Sequence, residues 1–243
     1  MVRTNQQGDL AVSNYVEGFT APVKLDFRTS ALVVVDMQNA SGSRAHGLGK
    51  WLDARGELGS ADYRFDRIDT LLIPRISELL AAFRALQAPV IHLTVGSERS
   101  DYSDAPRHMR PFFEATNNHQ GTSEHEIVEA LRPIGGEPVF NKVTMGGFAS
   151  TGLGAHLSSQ GIREIIVTGV STNNCVGMTG QEAADRGLGV VLASDATGTC
   201  SDRMQSAYED TFRRLWGRVA TTAEIIVEVT ASAGIEMPPE GAT

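Results

Sequence analysis

The chain has 243 residues, of which 41% are hydrophobic and 21% are charged, a composition typical of soluble globular proteins that excludes fibrous repeats and disordered chains. Its formal net charge of -8 leaves no excess of Lys and Arg, so we expect neither nucleic acid nor a membrane surface as partner. No apolar run approaches the roughly 18 residues of a membrane span. Because residues 1–10 are polar and unlike a signal peptide, we expect a cytoplasmic protein.

Six apolar runs of strand length alternate with segments of helical periodicity along the chain. The predicted strands cover residues 31–35, 89–95, 138–141, 164–168, 189–193 and 219–225. The predicted helices cover residues 71–86, 124–131, 151–160, 174–186 and 202–215. Because strands that alternate with helices form parallel sheets covered on both faces, we predict a three-layer α/β/α fold with an open, six-stranded, mainly parallel sheet.

The length predicts one domain, which we place at residues 29–231. An N-terminal extension is predicted at 1–28 and a flexible tail at 232–243. Residues 39–69 show no clear period and carry several glycines, so they are predicted as a long loop. Such a loop in a compact domain usually closes a site or joins a partner subunit, and we therefore expect a homo-oligomer, either a dimer or a tetramer.

Three chemically capable residues follow predicted strands, where the ligands of open α/β sheets bind. Asp36 follows the first strand, Lys142 follows the third, and Cys175 lies beyond a glycine turn after the fourth. Each alone is more typical of a helix cap, a solvated lysine or a packed cysteine, but together they predict a site. A helix N-terminus and a nearby cation both favour a thiolate, so Cys175 is the candidate nucleophile. The backbone N–H groups of Ser171 and Cys175 are candidate donors to an oxyanion.

Three sequence motifs carry a resemblance to a known family. Residues 32–38 read LVVVDMQ, residues 141–148 read NKVTMGGF, and residues 167–176 read VTGVSTNNCV. In this order they resemble the isochorismatase-like cysteine hydrolase superfamily, which includes nicotinamidases, N-carbamoylsarcosine amidohydrolase, and biuret and ureidoacrylate hydrolases. The resemblance covers about residues 28–228 and implies the isochorismatase-like fold.

The resemblance implies a catalytic triad of Asp36, Lys142 and Cys175, together with a cis peptide between Val170 and Ser171. In the implied mechanism Asp36 accepts the thiol proton, Lys142 stabilises the charges, and the thiolate attacks an amide carbon to form a thioester. The expected enzyme is a cysteine hydrolase of C–N bonds other than peptide bonds. Its expected substrate is a small ureide, N-carbamoyl compound or amide, from which ammonia or an amine is released.

Departures from the family pattern limit the remaining predictions. Metal-binding nicotinamidases carry a second histidine shortly after the position of His92, and this chain lacks it, so we predict no metal and no cofactor. Gln38, Phe148 and Thr172 are predicted to bind substrate, although capping or core packing would also explain them. Two alternatives stay open: an isochorismatase-type vinyl-ether hydrolase, against which Cys175 weighs, and a catalytically idle interaction protein, against which the complete triad weighs.

Overall fold

The computed structural model describes residues 21–235. The predicted extension over 1–28 is therefore described only from residue 21 onward, and the predicted tail over 232–243 only as far as residue 235. The rest of both segments lies outside the described residues. None of the helices within the described range has both the length and the apolar character needed to cross a membrane.

One open sheet of six strands forms the centre of the structure, and every strand pair in it is parallel. The strands are β1 (Ser30–Val35), β2 (Val90–Val95), β3 (Val139–Lys142), β4 (Glu164–Val170), β5 (Gly189–Gly198) and β6 (Arg218–Ala220). Their order across the sheet is β3-β2-β1-β4-β5-β6. The chain builds outward from β1 to β3 and then from β4 to β6, so the topological switch point lies between β1 and β4.

Helices cover both faces of this sheet. The α-helices are α1 (Asn39–Gly42), α2 (Gly47–Asp53), α3 (Asp62–Arg67), α4 (Ile73–Ala85), α5 (Arg110–Thr116), α6 (Leu153–Ser159), α7 (Gly177–Ala184), α8 (Asp202–Leu215) and α9 (Thr222–Ser232). The predicted three-layer α/β/α fold is confirmed, and the sheet is entirely parallel within the described residues.

The central strand β1 shows why this sequence folds as a three-layer structure. All six of its residues are buried, as expected for a strand covered on both faces. Leu32 packs into the apolar cluster that contains Ile76 of α4 and Ile225 of α9. Val33, which points the other way, packs into the cluster that contains Leu153 of α6 and Phe212 of α8.

The segment 39–69, predicted as a loop, is largely helical and this prediction is wrong. It contains α1, α2, a 3₁₀ turn at Leu58–Ala61 and α3, and it continues through a π turn at Ile68–Leu72 into α4. These helices have four to seven residues, too few to show a helical period in sequence. They are stabilised by tertiary packing, since Phe65 and Ile68 are fully buried.

Two other element predictions are corrected by local hydrogen bonding. The predicted helix over 124–131 is only a 3₁₀ turn at Glu129–Leu131, because the preceding backbone bonds to the chain after β1: Val128 N donates to Met37 O at 2.9 Å. The predicted strand over 219–225 ends at Ala220. There α9 begins with a capping box, in which the Thr221 hydroxyl accepts from the N–H of Glu224 and the Glu224 carboxylate accepts from the N–H of Thr221.

Candidate active site

A buried ion pair joins the carboxyl ends of β1 and β3. Asp36 follows β1 with a positive φ of 53°, and Lys142 is the last residue of β3. The long lysine side chain spans the end of β2, and its Nζ lies 2.8 Å from Asp36 Oδ2. Lys142 Nζ also donates to Thr144 O at 3.3 Å. Both ionic side chains are almost completely buried, and Asp36 Oδ1 is buried without a hydrogen-bond partner among the described residues.

Burial and charge set the proton affinities of this pair in opposite ways. Burial raises the pKa of Asp36, and the positive charge of Lys142 offsets only part of that effect. Burial also lowers the pKa of Lys142, but its interactions with Asp36 and Cys175 together raise that pKa above its ordinary value. Lys142 is therefore an ammonium, and the Asp36 carboxylate is a stronger base than an exposed one. A carboxylate of raised pKa is suited to accept a proton at neutral pH.

Cys175 lies in a π turn at Thr172–Val176, between β4 and α7. Its thiol is buried and lies 3.3 Å from Met145 Sδ. Burial and the neighbouring Asp36 carboxylate raise the pKa of the Cys175 thiol to about 12, which Lys142 opposes but does not offset. Lys142 lowers the thiol pKa, as expected, but burial and the Asp36 carboxylate have the larger effect in the resting protein. The thiol is protonated at neutral pH, so a nucleophilic role requires a base beside it.

The chain leaves β4 through a cis peptide between Val170 and Ser171, at the position that the resemblance implies. The Ser171 hydroxyl accepts a hydrogen bond of 2.8 Å from Nη1 of Arg64. Nε and Nη2 of the same guanidinium donate to Ser41 O at 3.2 and 3.0 Å. Arg64 belongs to α3, in the segment predicted as a loop, and no pattern in the sequence pointed to it. The predicted oxyanion donors, the amides of Ser171 and Cys175, belong to residues that line the adjoining cavity.

A cavity of about 450 Å³ opens beside these groups, and Asp36, Arg64 and Cys175 are part of its lining. Much of the remaining wall is apolar and comes from the connections that follow β1 and β2. Leu48 of α2 lies in the connection after β1, and Phe112 of α5 lies in the connection after β2. Asp36 and Cys175 therefore lie beyond the carboxyl ends of β1 and β4, while the connecting segments shape the space next to them.

The three predicted substrate-binding residues do not line this cavity. Gln38 is fully buried, and its amide accepts from Val95 N at 2.7 Å and donates to His125 O at 2.8 Å. Thr172 donates to the side chain of Gln205 at 2.7 Å, and Phe148 packs in the core beneath the Arg186 guanidinium. All three serve the packing around the site, so none is carried into the proposal below.

His92, the histidine left over from the metal-binding pattern, is buried, and its Nε2 lies 3.1 Å from Glu137 Oε2. Within residues 21–235 no three His, Cys, Asp or Glu side chains cluster closely enough to hold a metal ion. The absence of a metal and of any cofactor remains a prediction.

Comparison with known protein families assigns most of the chain to one family. The model of the Isochorismatase domain matches residues 30–224, which include every strand of the sheet and all three triad candidates. The chain belongs to the isochorismatase family. Among curated relatives of this isochorismatase-family chain, ureidoacrylate amidohydrolase RutB of Methylorubrum extorquens is 33% identical over 193 residues, covering 72% of each chain. Secreted isochorismatase effector Isc1 of Verticillium dahliae is 33% identical over 147 residues, covering 60% of this chain and 70% of that protein.

Solved structures of the isochorismatase family agree with the fold described above. A cysteine hydrolase from Pseudomonas syringae pv. phaseolicola superimposes with a TM-score of 0.73 at 25% identity, covering 88% of this chain and 98% of that one. N-carbamoylsarcosine amidase from Thermoplasma acidophilum superimposes with a TM-score of 0.60 at 22% identity, covering 80% of this chain and 96% of that one. At that identity the second likeness establishes the fold alone.

Proposed function

We propose that this isochorismatase-family hydrolase cleaves the C–N bond of a small ureide, N-carbamoyl compound or amide through a thioester on Cys175. The observation that carries the proposal is a protonated, buried thiol beside the Asp36 carboxylate, which Lys142 holds by one oxygen only. The other oxygen, Oδ1, has no partner among the described residues and is free to accept the thiol proton. This arrangement meets the requirement for an activated nucleophile with an adjacent base.

The first half of the reaction transfers a proton and forms one bond to carbon. Asp36 accepts the proton of the Cys175 thiol while the sulfur attacks the carbonyl carbon of the substrate. Negative charge moves to the carbonyl oxygen, for which the backbone amides of Ser171 and Cys175 are the proposed donors. The C–N bond then breaks, the nitrogen takes the proton from Asp36, and ammonia or an amine leaves.

The second half of the reaction consumes one water and restores the thiol. Asp36, again a carboxylate, accepts a proton from water as the water oxygen attacks the thioester carbon. The C–S bond breaks and the proton on Asp36 returns to the sulfur, which releases the acid or carbamate. Lys142 keeps its charge throughout, and it stabilises the carboxylate in the resting enzyme and the thiolate in the transition state.

The relatives support this reaction class, because the RutB proteins that match this chain are named ureidoacrylate amidohydrolases and are 28–34% identical to it. A vinyl-ether hydrolase is the second candidate, since Isc1 is named an isochorismatase effector. Vinyl-ether hydrolysis requires an acid and a water molecule but no covalent nucleophile from the protein, so a buried thiol beside Asp36 would have no task in it. The position of Cys175 therefore favours the amidohydrolase.

Ammonia release from a panel of ureides, N-carbamoyl acids and primary amides tests the proposal directly. The experiment is best done in a Cys200→Ala background, because Cys200 is the other free cysteine among the described residues. Adding Cys175→Ala or Cys175→Ser should reduce kcat by about a thousandfold or more, as expected when a covalent nucleophile is lost. Retention of full amidase activity would overturn the proposal, while cleavage of isochorismate by Cys175→Ala would establish the vinyl-ether alternative.

We also propose that the protein is a cytoplasmic homo-oligomer whose only ligand is the small-molecule substrate, with no nucleic-acid or membrane partner. Support comes from the acidic charge of -8 and from the cavity wall, which is built from long connecting segments. Sedimentation at micromolar concentration should show a dimer or tetramer, and a monomer would contradict this part of the proposal.

A further inference from the structure

The turn that carries Cys175 is not a regular helix start. It is a π turn over Thr172–Val176, and Asn174 within it has non-helical dihedral angles, with a φ of -119° and a ψ of -106°. The backbone N–H groups of Asn174 and Val176 both donate to Ser171 O, at 2.9 and 3.3 Å. Because this backbone does not follow a regular helix, its shape depends on the contacts that its side chains make with neighbouring elements.

Two such contacts tie the start of the turn to the segments that follow β5. The hydroxyl of Thr172, which is fully buried, donates to Oε1 of Gln205 in α8 at 2.7 Å. The hydroxyl of Thr199, just beyond β5, donates to Oδ1 of Asn173 at 2.5 Å. The bond to Gln205 is the more buried of the two. A buried hydrogen bond is costly to break, because the group left behind has no water to bond to.

The side-chain amide of Gln205 is itself held in one orientation. Gln205 is buried, and its Nε2 donates to Oε1 of Glu209 at 2.8 Å and to the hydroxyl oxygen of Thr197 at 3.2 Å. A carboxylate can only accept hydrogen bonds, so the amide nitrogen must face Glu209. The amide oxygen is then directed at Thr172, from which it can only accept. The amide therefore cannot turn over without losing hydrogen bonds at both ends.

Thr172 connects this amide to the proposed oxyanion donors. Its neighbour Ser171 supplies one of the two backbone N–H groups, and Cys175, three residues later in the same turn, supplies the other. An oxyanion donor acts only when it is aimed at the place where charge develops, and the loss of one donor costs about 10²–10³ in kcat. Gln205 is not among the residues that line the cavity, so it can affect the reaction only through the turn.

We propose that Gln205 is a positioning residue, which acts through Thr172 to hold the backbone amides of Ser171 and Cys175 where the carbonyl oxygen of a bound ligand will lie. This inference rests on the proposed function for the use of these amides in turnover. The positioning itself can be measured without turnover, because any carbonyl compound that adds to Cys175 places its oxygen at the same amides. The two proposals can therefore fail separately.

The test uses butanal, an aldehyde that adds reversibly to a thiol. The sulfur of Cys175 bonds to the carbonyl carbon and the thiol proton ends on the oxygen, so the addition needs no oxidant and releases no leaving group. Iodoacetamide reacts with the same sulfur by losing iodide from a saturated carbon, and this reaction forms no oxyanion. In the Cys200→Ala background, peptide mass spectrometry gives the rate at which Cys175 is alkylated. The decrease of that rate with added butanal gives the dissociation constant of the adduct.

Gln205→Leu and Thr172→Val remove the link from its two ends. Each should weaken the butanal adduct by about tenfold, as expected for one lost hydrogen bond, while the alkylation rate without butanal stays within about twofold of wild type. The double variant should be no weaker than either single variant, because both substitutions remove the same bond. Thr172→Ser keeps the hydroxyl and should bind butanal within about threefold of wild type. Thr168→Val is the matched control, because Thr168 is also fully buried and its hydroxyl donates to Val33 O, away from the turn; it should leave both values unchanged.

Three results would overturn the proposal. The first is the same butanal affinity in wild type, Gln205→Leu and Thr172→Val, and the second is a wild type that forms no adduct. The third is a parallel fall of the alkylation rate and the affinity, which would mean that Gln205 acts on the thiol itself. Once ammonia release identifies a substrate, both variants should lower kcat by about ten- to a hundredfold with KM within about threefold. The expected butanal result without any ammonia release would reject the proposed function and support the positioning role of Gln205.

Discussion

Replacing Lys142 with Met should destabilise the protein strongly, because it leaves Asp36 as an unpaired buried charge. Nζ and Oδ2 are 2.8 Å apart, which corresponds to an attraction of about 6 kcal/mol at an effective dielectric constant of 20. Desolvation of both ions offsets part of this attraction, and removal of one partner from a buried pair typically costs about 3–5 kcal/mol. For a chain of 243 residues that loss lowers Tm by about 6–20 °C. Because the Met side chain fills most of the space of the lysine's aliphatic stem, the cost of forming a cavity adds little to this loss of stability.

The pH dependence of this loss identifies its cause. Without Lys142 the pKa of Asp36 rises further above its value in the unfolded chain, so the native state binds a proton that the unfolded state releases. Stability is then lost as pH increases, and Lys142→Met should be more destabilised at pH 8 than at pH 5. The double variant with Asp36→Asn removes the unpaired charge and should recover part of the loss, while Lys50→Met, an exposed lysine, is the control. The ion-pair account would be refuted by a Lys142→Met variant that unfolds in urea within about 1 kcal/mol of wild type at pH 8.

Three further predictions test other parts of the structure. Alkylation of Cys175 by iodoacetamide, followed by peptide mass spectrometry, should accelerate from pH 7 to pH 11 because the thiol pKa is about 12, and a plateau near the ordinary thiol value of about 8.5 would contradict it. Burial, followed by the charge of His119, lowers the pKa of His125 to about 4, so stability should fall by up to about 3 kcal/mol as pH drops from about 6.5 to 4. If urea unfolding at several pH values showed that a His125→Gln variant loses stability with falling pH as steeply as wild type, that histidine would be excluded as the cause. Gly169→Ala should destabilise by more than about 3 kcal/mol, because the added Cβ would lie 2.0 Å from a backbone oxygen of β1 at a φ of +99°. A urea midpoint equal to that of wild type would show that β1 and β4 shift to accommodate the added methyl group.

Most of the sheet could be predicted because buried parallel strands leave a strong signal. A strand such as β1, covered on both faces, must be almost continuously apolar, and after Ser30 at its start every residue of β1 is apolar. The positions of Asp36 and Cys175 follow from the same reasoning, since the ends of β1 and β4 flank the switch point of the sheet. Lys142 was placed by the same rule, although its reach across β2 to Asp36 is visible only in three dimensions. The catalytic roles of these residues remain predictions.

The walls of the cavity could not be predicted, because their order comes from packing between distant segments. The helices of residues 39–69 are too short to show a period, and Arg64 became relevant only when α3 was placed beside Ser171. Gln38 was predicted to bind substrate because it follows β1 closely. Its amide is instead hydrogen-bonded to Val95 N and His125 O, and these contacts could not be inferred from the sequence. The capping box at Thr221 was visible in the sequence and would have given the correct start of α9.

The protonation state of Cys175 also lay beyond sequence reasoning. A helix start and a nearby lysine both favour a thiolate, and each is inferable from sequence order. Burial of the thiol and its closeness to the Asp36 carboxylate act in the opposite direction and are larger. The proposed mechanism therefore uses a proton transfer from Cys175 to Asp36 at the moment of attack, instead of a thiolate that is already formed.

The thioester itself is the most direct test of the central claim. A substrate identified by ammonia release is mixed with the enzyme, the reaction is quenched in acid within one turnover, and the peptide containing Cys175 is analysed by mass spectrometry. The account predicts that this peptide gains the mass of the carbamoyl or acyl group, and that the modification disappears as product forms. Complete turnover with Cys175 unmodified at every quench time, together with unreduced activity of Cys175→Ala, would contradict it.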